Sequence, residues 1–405
     1  MGANGVVVNQ LNGGLGRTNP TDDGVVMIII GGAVAASGLA LKTAKEYLDL
    51  VSVETDGITS AFDDNEDLLA HYHLSEYFRV NPSGKIVVVL DDDTLTTAEL
   101  KAMLRINSTV KAIGFVRNSA TAPVDFAAYI AGKQTLISEL KAENRNIAVA
   151  LVEGKEFSDA TAISAYTDLR TLSSGNVVVV IAQDPVIRAL KEAYETHACI
   201  GTALGAISVR SVNENLGSVD VQNKPNFAKG NRDYPLTDIA SGRFLSACLQ
   251  SGKNVSDLTA NELTALNDKG YISVINYNAY AGFYFSDSHT ATAKSSDYCR
   301  IENNRVWNKA ADLIIQALMP RVKGNIKKDP QTGYLRDIEC KELEALAKKQ
   351  LSPMEAAGEC SGYDVYIDPK QTLSNDQPMV VKAEVVLNDI IHQFTVNLGL
   401  TNQLS

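Results

Sequence analysis

The sequence has little of what usually carries chemistry. Its 405 residues include five cysteines and five histidines. Cys199, Cys248, Cys299, Cys340 and Cys360 are scattered with no CxxC pair, which argues against a zinc site or disulfide framework and fits reduced thiols made in a cytoplasm. His71 and His73 stand two apart in a helical pattern, so they face different sides and cannot chelate together. There is no HExxH and no GxSxG. No run of eighteen uncharged apolar residues occurs, so no span of a membrane is expected. The N-terminus lacks the basic-then-apolar pattern of a secretory signal. Lys and Arg number 37 against 48 Asp and Glu, a net charge of −11, which argues against a nucleic-acid-binding body. No repeat of fixed period and no low-complexity tract is present.

What is there has the composition of an ordinary globular protein, 45% hydrophobic and 21% charged. The length allows two or three domains with a sizeable core. Residues 24–32 form a continuous apolar run that reads as a buried strand. Helical spacing follows over 39–51, through Leu41, Ala44, Tyr47, Leu48 and Val51, and again over 65–77. Four apolar strands come next, at 86–90, 112–116, 147–152 and 177–182, each ending in polar residues. Helical segments at 97–106, 124–143 and 160–172 lie between them. Thr96 or Thr97 could cap the first and Asp159 the third. This alternation predicts βαβ units and a mostly parallel, doubly wound sheet covered on both faces, an α/β domain over 84–210.

Beyond it, 186–196 reads as a helix, 198–212 as a Gly- and Ala-rich segment, and 213–230 as a polar boundary. Thr259 and Glu262 have capping-box spacing for a helix over 259–269. Strands are expected at 271–276 and 281–285. A helix over 303–319, with Val306, Trp307, Ala310, Leu313, Ile314 and Ala317 on one stripe, is closed by Pro320. Trp307 there reads as packing, not as a stacking platform. A basic loop (323–333), a helix (338–350) and a strand (363–367) complete this part.

The last apolar stretch reads as two strands, 379–387 and 391–398, split by Asn388 and Asp389. In the second, His392, Phe394, Val396 and Leu398 share one face, with Gln393, Thr395 and Asn397 on the other. His392 thus reads as an interior group, not a base. At the other end, residues 5–10 include the β-branched run Val6, Val7 and Val8, before a loose glycine-rich 12–16. Strand-like ends flanking a large body point to strand exchange between molecules, with Val6, Val7, Val8, His392, Phe394, Val396 and Leu398 as the interface.

One cluster has catalytic potential. Asp91, Asp92 and Asp93 end a strand of the expected doubly wound sheet, where carboxylates can hold Mg²⁺ against a phosphate. That supports an alternative function, a Mg-dependent enzyme acting on a phosphorylated small molecule. The bland reading is a solvated turn whose acids favour the next helix N-terminus. No Lys, Ser or Thr directly follows the strands. The glycines at 31–38 match neither GxGxxG nor a P-loop. No catalytic constellation and no cofactor site emerges.

From residue 200 onward, the order of features resembles the contractile tail sheath proteins of phages and prophages. The resemblance rests on Ile200-Gly201-Thr202-Ala203-Leu204-Gly205, then Arg210, then the turn at 213–217. It continues through 258–267 before Gly270-Tyr271-Ile272, through 281–292 and 298–305, and ends on the closing strands 363–369, 379–387 and 391–398. Residues 24–38 resemble the early apolar strand of that family. The chain departs from the pattern at 218–225, where a Trp-rich Pro-Ala-Asn segment is usual, which points to a divergent prophage-type group. The resemblance implies a sheath-type α+β core with the α/β domain inserted in it. The arms would be 1–23 and 388–405, and the core 24–83 and 211–387, around the 84–210 insert. It implies a structural subunit, not an enzyme, that polymerises with itself as hexameric discs in a helical sheath. Its partners would be a tail tube protein and baseplate and tail terminator proteins, with no nucleic acid or membrane. Assembly in the bacterial host cytoplasm into a virion tail or contractile particle is implied by the same resemblance, as is contraction by rigid-body rearrangement.

Overall fold

Five consecutive apolar residues can all be buried in a strand covered on both faces, and the chain contains several such runs. A computed structural model describes residues 22–118, 125–155, 162–219, 236–278, 280–373, 377–396 and 398. Val6, Val7 and Val8 lie outside them. The chain divides into two compact units, residues 1–305 and 306–405.

The first unit is built on a six-stranded sheet. Its strands are β1 (Val26–Ile30), β2 (Lys45–Tyr47), β3 (Ile86–Leu90), β4 (Ala112–Val116), β5 (Val149–Glu153) and β6 (Val177–Val180). Their order is β2-β3-β1-β4-β5-β6, all parallel except β2, which runs antiparallel to β3. The expected boundary at 83/84 is crossed by this sheet. β1 pairs with β3 on one side, from Val26↔Ile86 to Ile30↔Leu90, and with β4 on the other. Its burial on both edges and both faces leaves no place for it but the sheet centre.

The helices of this unit are α1 (Leu50–Thr55), α2 (Ser60–Glu66), α3 (Ala70–Val80), α4 (Thr97–Ile106), α5 (Phe126–Ala142), α6 (Pro185–Arg188), α7 (Ile200–Val209) and α8 (Ala260–Lys269). Alternation along β1 sends Val26, Ile28 and Ile30 to a core shared with α3 and α7. Met27 and Ile29 go to the opposite core, shared with α4 and α5. Capping boxes open α4 (Thr96 with Glu99) and α8 (Thr259 with Glu262).

Three helical expectations give way to other local structure. Residues 39–51 hold β2 and the start of α1, because Tyr47 is needed to bury against the sheet edge. Residues 160–172 hold two single 3₁₀ turns, Ile163–Ala165 and Leu169–Thr171, which drop Ile163 and Leu169 into the core. Residues 186–196 hold the short α6, opened by Asp184 and Pro185, and a 3₁₀ turn at Glu192–Tyr194. Conversely, the Gly- and Ala-rich segment is the buried helix α7. Its small residues let it lie close to α3: a Cβ on Gly201 would sit 2.1 Å from the His73 carbonyl oxygen.

Two short ladders come next, β7 (Ala182–Gln183) with β8 (Cys248–Leu249), and the hairpin β9 (Val274–Tyr277) with β10 (Tyr280–Phe285). α9 (Ile301–Leu318) begins in the first unit. Its first turns are held there by a buried polar network. Asn215 Nδ2 donates to Asp287 Oδ1 (2.8 Å), Ser288 Oγ (2.8 Å) and Glu302 Oε1 (3.2 Å), and Arg305 donates to the carbonyls of Arg210 and Ser211.

The second unit holds the rest of α9, α10 (Asp337–Ala356) and the antiparallel pair β11 (Gly362–Tyr366) and β12 (Lys382–Val386). The described fold is therefore mixed α and β around a mostly parallel sheet.

Candidate functional site

Two places were marked by the sequence, the strand ends at Asp91–Asp93 and the C-terminal arm. At the first, the acids organise their own loop. Asp91 is buried and accepts from the Thr94 and Leu95 amides at 3.1 and 2.9 Å, and its pKa is raised by desolvation. Asp92 is exposed and accepts from Thr94 Oγ1, which lowers its pKa. Asp93, at φ 63°, accepts the Gly32 amide at 2.9 Å. Gly32 itself has φ 62°, and a Cβ on Gly31 would meet Asp93 Oδ1 at 2.8 Å. Asn118 closes the same crevice by donating to the Gly31 carbonyl at 2.7 Å. The turn where doubly wound folds receive a phosphate is thus filled by a carboxylate of the chain itself. Among the described residues, no group of three or more His, Cys, Asp or Glu is placed to hold a metal ion.

One strand over, Glu153 is fully buried. It accepts from the Arg117 and Ala198 amides, each at 2.9 Å, and desolvation lifts its pKa to about 7 against the pull of Arg117. Sequence reading missed this residue, because only the sheet order brings its neighbours together.

The second place is the ladder β11–β12 together with the arm beyond it. Its register runs from Gly362↔Val386 to Tyr366↔Lys382. α10 secures β11: Glu344 accepts the Ile367 amide at 2.9 Å, and Lys348 pairs with Asp364 at 2.6 Å. Val365 is buried, whereas β12 is exposed along nearly its whole length. The sheet has two strands, so both outer edges lack a ladder partner among the described residues. The sheet of the first unit has blunter edges. β2 is three residues long with Lys45 and Glu46 exposed, and β6 is covered by Ile272, which bridges Val180.

After Asn388 the described residues form no strand. Among the described residues of 391–398 no strand forms, and no ladder partner for one is present among the described residues. His392 is exposed, and Ile391, Phe394, Val396 and Leu398 are 70%, 77%, 80% and 90% exposed. The interior position expected for His392 is not seen. Val380, Val386 and Leu387, in or next to β12, are exposed as well.

Residues 3–289 match the family described as DUF2586, N-terminal domain, and residues 297–405 match DUF2586, C-terminal domain. The fold is similar to a chain in a cryo-EM structure of the anti-feeding prophage baseplate, 6-fold symmetrised, at 14% identity and a TM-score of 0.58. That match covers 98% of this chain and 100% of that one. A chain of the same baseplate in its contracted state gives 13% identity and 0.57, covering 99% of each. The sheath tail protein from Desulfitobacterium hafniense gives 9% identity and 0.52, covering 95% of this chain and 100% of that one. At these identities the likeness is one of fold. No curated protein matches the chain.

Proposed function

We infer that this chain, which belongs to the DUF2586 family across both its N-terminal and its C-terminal domain, is a structural subunit of a contractile phage-tail-like particle. The specific reading is a sheath subunit that polymerises around a tail tube and contracts by rigid-body rearrangement between two lattices. Its partners are further copies in hexameric discs, the tube protein, and the baseplate and terminator proteins at the two ends. The particle assembles in the bacterial host cytoplasm, and the 84–210 segment faces outward on it.

The observation that carries the reading is the uncovered apolar arm beyond Asn388, next to a two-stranded ladder with bare edges. A strand of eight residues spans about 26 Å, enough for a row of ladder bonds. Burying a Phe or Leu fully contributes about 1.5–3 kcal/mol. An arm donated to a neighbour satisfies both needs, main-chain bonding and apolar burial, and Val6, Val7 and Val8 are the expected second strand. The fold shared with sheath and baseplate chains supports the same placement. The spent carboxylates at the strand ends favour it over the Mg-dependent enzyme.

Electron microscopy of the concentrated purified chain tests the reading. Rings or tubes from the full chain, and soluble monomers from a chain ending at Asn388, are expected. Equal assembly by both would sink strand exchange.

A further inference from the structure

Charge is spread unevenly along this chain. Between Lys45 and Arg79 stand nine Asp and Glu and no Lys or Arg. That stretch supplies α1, α2 and most of α3, and α1 and α2 both pack on α3. The two helices converge on His71. Its ring Nε2 lies 3.0 Å from Glu54 Oε1 of α1, and its amide donates to Asp63 Oδ1 of α2 at 3.0 Å. Asp63 is buried, whereas Glu54, Asp64, Glu66 and Asp67 are exposed. The cations that border the stretch are already placed: Lys45 pairs with Asp56, Lys85 with Glu46, and Lys191 with Asp67. Asp64 and Glu66 have no ion-pair partner among the described residues. Leu48 and Val51, at the start of α1, are exposed beside these acids.

The opposite sign gathers in the second unit, between α9 and α10. Residues 321–336 hold Arg321, Lys323, Lys327, Lys328 and Arg336 against Asp329 alone. The main chain folds back on itself there. The Arg336 amide donates to the Lys327 carbonyl at 3.2 Å, the Asp329 amide donates to the Tyr334 carbonyl at 2.8 Å, and Lys328 bridges Leu335. Buried Leu335 anchors the turn, its amide donating to the Pro369 carbonyl at 3.0 Å. Asp329 spends its carboxylate on the Gln331 and Thr332 amides, each at 2.9 Å. All five cations are exposed. Arg321 reaches Glu342 at 3.9 Å, and the other four have no ion-pair partner among the described residues. Arg336 and Lys370 line an open cleft of about 390 Å³, with Tyr334, Ile338 and Pro369 among its walls and Asp337 of the first turn of α10 beside them. Tyr334 and Ile338 are exposed.

One exposed ion pair contributes little, but several acting together steer encounter and fix register. Apolar side chains beside the charges supply the burial that charge alone lacks. The two patches differ, and every copy of the chain carries both. A contact between them is therefore heterologous and repeats from copy to copy, closing a ring or growing a filament. We propose that the acidic face of α1 and α2 in one copy docks on the basic turn at 321–336 of a second copy, burying the exposed apolar residues beside each patch. The contact rests on the assembly reading for its partner, a second copy of this chain, but it needs neither terminal arm.

Sedimentation velocity of the intact chain tests this. Self-association should weaken about tenfold or more between about 0.1 M and about 1 M sodium chloride, where the screening length falls from about 10 Å to about 3 Å. Two double variants, Lys327→Glu with Lys328→Glu and Asp64→Lys with Glu66→Lys, should each associate about tenfold more weakly than the parent, because each sets like charges against one another. An equal mixture of the two should recover the parent's association, since every copy then meets its opposite on both sides. All four residues are exposed, and recovery on mixing cannot come from unfolded chains. Salt-independent association of the parent overturns the proposal with no variant needed. Variants that associate as the parent does, or a mixture of folded variants that does not recover, overturn it as well. These results leave strand exchange standing, because the parent still assembles. A parent that stays monomeric at every salt concentration sinks both the contact and the assembly reading.

Discussion

Ser361 Oγ donates to Asn388 Oδ1 at 2.7 Å, and the Asn388 amide in turn donates to the Gly358 carbonyl at 2.7 Å. The arm is therefore clamped at its root, and everything beyond is held by nothing in its own chain among the described residues. Cutting after Asn388 should leave the melting temperature of the free subunit within about 2 °C of the parent, since exposed residues contribute little. Cutting before Lys382 removes β12 and bares β11, and should melt markedly lower. Scanning fluorimetry of both truncations checks this. A large loss from the shorter cut would mean the arm packs on its own subunit.

The three acids at the end of β3 should separate in their effects. Asp92→Asn should change stability little, because the side chain is exposed and Asn keeps an acceptor for Thr94 Oγ1. Asp93→Ala removes the acceptor for the Gly32 amide and puts Ala at a positive φ, costing about 1–2 kcal/mol in a urea melt. Asp93→Asn keeps an acceptor and tolerates that backbone, so it should recover most of the loss. Micromolar Mg²⁺ affinity that disappears when all three become Asn would restore the enzyme reading.

Stability should carry a pH signature from Glu153. Its folded pKa of about 7 lies above the ordinary carboxylate value, so the folded state holds its proton more tightly than the unfolded chain. That contribution is fully present below about pH 4.5 and is lost as pH rises through about 7. Glu153→Gln removes the titration, at the constant cost of one of the two amide hydrogen bonds. The melting temperature of the variant minus that of the parent should therefore rise from about pH 5 to about pH 8. A difference that stays flat would mean Glu153 titrates normally. His197, lowered to about 4 by burial, works in the opposite sense, losing stability as pH falls from about 6.5 toward 4, and is common to both proteins.

How much of this was legible depends on what is local. β3, β4, β5 and β6 announce themselves as short apolar runs, and the capping boxes of α4 and α8 are set by residues three apart. The place of β1 was not legible, because sheet order depends on partners far along the chain. Residues 160–172 and 186–196 have helical spacing, yet tertiary burial of Ile163, Leu169 and Tyr194 holds them in single turns. The apolar alternation at 391–398 was visible, but no ladder partner for it lies among the described residues. Glu153 and the Arg117 and Ala198 amides that bond it lie far apart in the chain, so no motif could have joined them.

The closeness of α3 and α7 gives the sharpest test of the fold. By composition the segment 198–212 reads only as Gly- and Ala-rich, and its glycines are what lets α7 lie against α3. A Cβ at Gly201 would meet the His73 carbonyl oxygen at 2.1 Å, and one at Gly205 would meet Val80 Cβ at 2.9 Å and the Tyr77 carbonyl oxygen at 3.0 Å. The first obstacle is helix backbone, which cannot rotate away as a side chain can. Gly201→Ala should thus destabilise by about 3 kcal/mol or more, despite the better helix propensity of Ala. Gly132, in the exposed middle of α5, has nothing within 4 Å of its would-be Cβ. There Ala should stabilise by about 0.5–1 kcal/mol, through propensity alone. Urea melts of the two variants should move in opposite directions from the parent. A Gly201→Ala protein as stable as Gly132→Ala would mean that α3 and α7 are not packed as described.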